Sequence, residues 1–208
     1  QNICRLLLLT QDFVSLEKYL LKSNEEFIKD NLFTKANHEI KVQLYIYLCN
    51  SSTVLKKYDQ VLFYAKELFN SLQEYDRLLH EKYLIYYYNI LVNIYSKTNV
   101  DKAIETLEEA KKQAVIKDNS NSYGVVSLNL AVIHFDSAKY KQASKYFVQL
   151  YISEAFKNYD EAFRLKISVF ELCNKIECEE LDVAEKMLQS IYKKIDELSN
   201  TESLEIEI

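Results

Sequence analysis

The side chains able to do chemistry are few and scattered. Histidine occurs three times, at His38, His80 and His134. No His-Glu-x-x-His sets two imidazoles on one helical face for zinc. His134 falls on an apolar helix face and reads as structural, while His38 and His80 fall near helix starts and read as solvated. The cysteines are Cys4, Cys49, Cys173 and Cys178. None forms a Cys-x-x-Cys pair, and the last two, five residues apart, occupy different faces of a helix. They read as buried free thiols of a reducing compartment, which places the chain in the cytoplasm. No Gly-x-Ser-x-Gly elbow exists, nor a Ser-x-x-Lys accompanied by its supporting motifs. The acid cluster "ECEELD" (177–182) opens a helix, where negative charge is stabilised by the dipole. The expectation is a protein that is not an enzyme, with no catalytic centre, no cofactor and no metal.

A different chemistry is suggested by "YLIYYYNILVNIY" (83–95), thirteen residues with five tyrosines, two asparagines and no charge. An asparagine amide offers two donors and an acceptor. Tyrosine adds apolar area and a hydroxyl at low entropic cost. Both suit recognition better than catalysis.

The elements that must position these residues are helices. The chain has 208 residues, one glycine (Gly124), no proline and seventeen tyrosines. Sandwiches and α/β folds need glycine and proline at their turns, and phosphate-cradling loops need several glycines. An all-α fold remains. The net charge is −5, and no Lys/Arg run longer than two occurs, which argues against a nucleic-acid partner. The longest uncharged run, 119–135, holds three asparagines and three serines, too polar for a membrane span.

Apolar faces recur along the chain. Equivalent anchors are Leu16, Val61, Ala103, Ala143 and Ala184, and each step from one to the next is close to forty positions. Between anchors lie second apolar helices over 39–55, 78–97, 122–138 and 161–176. A period near forty signals stacked two-helix units. Asn, Asp and Ser must make the turns.

These residues resemble tetratricopeptide repeats. The second unit offers Tyr87, Ile90, Leu91 and Ile94 on helix A, then Ala103, Leu107 and Ala110 on helix B. The third offers Leu130, Ala131 and His134, then Tyr140, Ala143, Phe147 and Leu150; its segment 127–147 is the best single match. The first is looser, with Tyr45, Leu48, Cys49, Val61 and Leu68. In the fourth only helix B matches, because helix A puts Glu171 and Lys175 at core positions. The family's crossing glycine is replaced by Cys49, Leu91, Ala131 and Leu172, and the repeats exceed the usual length of about 34 residues. The resemblance implies a right-handed α-α superhelix, a solenoid of antiparallel helix pairs over 1–198 as a single domain. Residues 199–208 read as an acidic tail that frays or lies across a groove as an extended strand. Most of the first helix A is expected to precede Gln1.

In the resembled family one stripe of helix A faces an inner groove. Here that stripe holds Tyr88, Asn89 and Val92 with Tyr95 at its edge, then Asn129 and Val132 with Phe135 at its edge. Asn50 belongs to the first unit. Asn89 and Asn129 stand one repeat apart. The resemblance therefore implies a scaffold that binds an extended protein or peptide segment, as part of a larger protein. The alternative is a signal-peptide-sensing domain of a bacterial regulatory protein. Exposed end repeats make a homo-oligomer possible.

Overall fold

The computed structural model describes the backbone of residues 2–205 and the side chains of 3–198. Every element in that range is helical: α1 (Asn2–Leu9), α2 (Phe13–Lys29), a 3-10 turn (Lys35–Asn37), α3 (His38–Val54), α4 (Tyr58–Ser71), α5 (Glu74–Arg77), α6 (His80–Thr98), α7 (Val100–Lys112), α8 (Ala114–Asp118), α9 (Ser120–Asp136), α10 (Tyr140–Tyr151), α11 (Glu154–Asn158), α12 (Glu161–Glu177) and α13 (Leu181–Glu205). The chain divides into two compact units, Gln1–Ile116 and Lys117–Ile208.

The expected A helices are α3, α6, α9 and α12. The expected B helices are α2, α4, α7, α10 and α13. All five anchors are in the core, at 0–5% exposure. In the N-terminal unit α2 packs on α3, α3 on α4, α4 on α6 and α6 on α7. In the C-terminal unit α9 packs on α10, α10 on α12 and α12 on α13. The C-terminal core gathers Ala131, Ala143, Phe147, Leu150 and Ile167. Burying each of the larger side chains contributes about 1.5–3 kcal/mol. On α12, Ile167 and Asn174 take the buried positions, and Glu171 and Lys175 stand at its edge.

The step of about forty residues between anchors includes the connections from each expected B helix to the next expected A helix. These hold the 3-10 turn, α5, α8 and α11, short pieces that the apolar periodicity does not signal. The A-to-B turns are compact. Helices α1, α3, α9 and α12 each end with a left-handed residue, at Gln11, Lys56, Ala138 and Glu179. After α3, the Lys56 N–H donates to the Thr53 carbonyl and the Lys57 N–H to the Ser52 carbonyl. The same paired bonds close the other three. This is the Schellman pattern, usually built on glycine. Asn, Asp and Ser serve instead as N-caps: Asp12, Asn99, Asn119, Ser153 and Asp160 accept from backbone N–H groups in the first turn of the following helix.

Helix α13 continues through Glu205, so 199–205 are helical rather than extended. The side chains of the alternating Leu204, Ile206 and Ile208 lie outside the described residues.

Candidate binding face on the A helices

The B helices bury one stripe each, such as Val61, Ala65, Leu68 and Ser71 on α4, or Ala103, Thr106, Leu107 and Ala110 on α7. Helices α3, α6 and α9 are buried over a wider arc. Helix α6 touches α3, α4 and α7 and buries His80, Tyr83, Leu84, Tyr88, Ile90, Val92 and Ile94. A helix enclosed on three sides has no single apolar stripe. The division of α6 expected from sequence is corrected accordingly. Tyr88 and Val92, expected on a ligand-facing stripe, are 3% and 6% exposed. Tyr87 and Leu91, expected in the core, are half-buried.

Tyr88 Oη donates to Glu109 Oε1 of α7 at 3.2 Å. Burial, then the Glu109 carboxylate, raises its pKa well above the ordinary tyrosine range. Asn89 remains half-buried on the stripe. Tyr95 is half-buried at its edge, with Lys102 Nζ 4.2 Å from its ring centroid. Asn50 is exposed on α3. In the C-terminal unit, Asn129, Val132 and Phe135 are all half-buried on α9. The Phe135 ring lies 4.8 Å from that of Phe170 and 5.5 Å from that of Tyr140. Phe135 therefore joins the aromatic packing rather than standing clear of it.

The stripe continues on α3 through residues that sequence reasoning missed. Gln43 Nε2 donates to Tyr83 Oη at 3.2 Å and to Glu39 Oε1 at 3.4 Å. Glu39 Oε1 also accepts from Tyr83 Oη and, at 2.7 Å, from Lys82 Nζ. The Lys82 hydrogen bond, then that of Tyr83, holds the Glu39 carboxyl below its usual pKa. Tyr47 precedes Asn89 by the same step that separates Val61 from Ala103. That register was a usable signal.

His38 and His80 are corrected as well. Both are buried, at 2% and 7% exposure, because the α4–α6 connection folds over them. His38 Nδ1 lies 3.7 Å from Glu74 Oε2, while Lys41 Nζ lies 2.6 Å from Glu74 Oε1. The His38 ring meets Tyr75 edge-on at 4.8 Å. His80 sits 3.5 Å from Gln73 Nε2. Burial, then the Arg77 charge, lowers its pKa. His134 is buried as expected and stacks on Tyr146 at 5.3 Å. Cys4 and Cys49 are buried free thiols, but Cys173 is exposed and Cys178 half-buried. Cys49 Sγ donates to the Val61 carbonyl at 3.7 Å, and burial pushes its pKa up to about 12.

Among the described residues no three His, Cys, Asp or Glu side chains gather as metal ligands. No described helix is long and apolar enough to cross a membrane. No family model matches the sequence, and no curated protein or solved structure matches it.

Proposed function

We propose that this chain is a protein- or peptide-binding scaffold. Its helix pairs are read as repeats of a right-handed tetratricopeptide-type solenoid, and its A-helix stripes as the surface that takes an extended segment. The observation that carries this reading is the recurrence of a half-buried asparagine at one register of the A helix, Asn89 on α6 and Asn129 on α9. Within each unit, such an amide suits an N–H and C=O pair of an extended backbone whatever its sequence. On the N-terminal unit, Tyr95 and Asn50 are read as further contacts of the same surface. With Tyr88 and Val92 in the core, the face rests on fewer side chains than the apolar pattern suggests.

The test is an affinity capture with this chain as bait beside the Asn89→Ala/Asn129→Ala variant, read by mass spectrometry. Recovery of a defined protein or peptide by the parent alone supports the reading. Equal recovery by both baits removes the two asparagines from the binding surface.

A further inference from the structure

The side of a B helix turned away from its buried stripe has no packing duty. On α10 the buried stripe is Ala143, Phe147 and Leu150. The opposite side, at about 100° per residue, holds Lys141, Lys145, Val148 and the C-cap residue Ile152. All four are exposed, Val148 at 58% and Ile152 at 76%. Helix α10 carries no acidic residue. Among the described residues neither lysine enters an ion pair. One repeat step earlier, the same positions of α7 hold Asp101, Glu105, Glu108 and Lys112. The repeat itself therefore does not demand a basic, aliphatic surface there.

The chain carries a counterpart on α4, in its N-terminal unit. Away from the buried Val61, Ala65 and Leu68 stand Phe63, Glu67 and Asn70. Phe63 is 58% exposed. Phe63 to Asn70 spans the same two helical turns as Lys141 to Val148. Laid antiparallel, the two helices seat Phe63 in the notch between Val148 and Ile152, set Glu67 against Lys145 and bring Asn70 to Lys141. Like flanks meet in an antiparallel pair, so Lys66, on the other flank of α4, faces the uncharged side of α10 at Ser144. A parallel pair would put Lys66 against Lys145. Charge and orientation are thus complementary together.

We propose that α10 of one copy docks antiparallel on α4 of a second copy of this chain. The contact is heterologous, because it joins two different surfaces. Its apolar centre is Phe63 against Val148 and Ile152, and its charged rim is Glu67 with Lys145. Both helices lie inside the chain, so this contact is distinct from one through end repeats. It uses no residue of the A-helix stripes and stands apart from the peptide-binding reading.

The experiment is sedimentation equilibrium of the purified chain over a range of concentrations, at low and high salt. A mass that rises with concentration, less steeply at high salt, is expected. Phe63→Asp and Ile152→Asp should each weaken association about tenfold or more. Lys145→Glu should weaken it by a smaller factor, and adding Glu67→Lys to the same chain should restore it. The Phe63→Asp chain keeps an intact α10 surface and the Ile152→Asp chain an intact α4 surface. Mixed, the two should associate to an extent that neither shows alone. A monomer at every concentration overturns the proposal. So does self-association that both variants leave unchanged, or a mixture no heavier than its parts. The Lys145→Glu/Glu67→Lys pair keeps the test decisive if either aspartate variant misfolds.

Discussion

The two units return the chain from a B helix to the next A helix by different means. Between α4 and α6 the connection is a left-handed turn, with Tyr75, Asp76 and Arg77 at φ of 53°, 56° and 63°. Between α10 and α12 it is α11, a right-handed turn capped by Ser153. Where the left-handed turn meets α3, it covers His38 with Tyr75. Where α11 meets α9, it approaches the chain's one glycine. A β-carbon added at Gly124 would lie 2.7 Å from Ala155 Cβ and 2.8 Å from Tyr159 Oη. One repeat step earlier the same register holds Leu84, and one step before that Val42, both buried. One unit fills that position with a side chain and bends its connection left-handed. The other empties the position and lets the connection come in.

This contrast can be broken at Gly124 first. Gly124→Ala gains helix propensity of about 1 kcal/mol. The contact with Ala155 is with a short side chain that cannot swing away, so overpacking should dominate. The expected net loss is about 2 kcal/mol, read by urea unfolding. A neutral or stabilising result would mean that α11 moves aside freely.

The left-handed turn should respond in the opposite direction. Asp76→Gly removes the β-carbon from a left-handed site that disfavours L-residues by about 1–2 kcal/mol. Part of that gain is lost to the freer unfolded chain, leaving about 1 kcal/mol of added stability in the same assay. Ala138→Gly, at the α9 cap, relieves the same clash at one left-handed residue and should give a gain of similar size, about 1 kcal/mol.

Acid titration gives the smallest effect and sharpens the comparison at the α4–α6 connection. The pKa of His80 is lowered in the folded state from its ordinary value near 6.5, so below that pH the unfolded chain binds more protons. Stability is then fully present above that pH and declines as pH falls towards the folded pKa. His80→Gln should flatten this part of the stability–pH curve. An unchanged slope would place the proton uptake elsewhere.

The B helices were legible because each buries one face, and a 3.6-residue period reports one face well. All five anchors sit in the core for that reason. The extents of the A helices were legible too, apart from small shifts at their ends. Their faces were not. On α3, α6 and α9 buried residues run most of the way round, so Tyr88 and Val92 of α6 could not be told from ligand-facing neighbours by spacing. His38 and His80 looked solvated because a helix start is usually open, and nothing in the sequence signals a left-handed turn folding over it. The role of Gly124 was hidden for a related reason. It depends on a short helix, α11, arriving from well downstream in the chain. Tyr47 was within reach of the repeat step, since it stands one step before Asn89.

The unequal placement of the thiols turns the molecule into its own clock. Cys4 and Cys49 are sealed in the N-terminal unit, while Cys173 stands open in the C-terminal one. A small alkylating reagent would reach Cys173 without any opening of the fold. Cys49 would wait until α3 parts from α4. The lag between the two modifications measures how often that helix pair breathes, and it does so in the intact chain without denaturant.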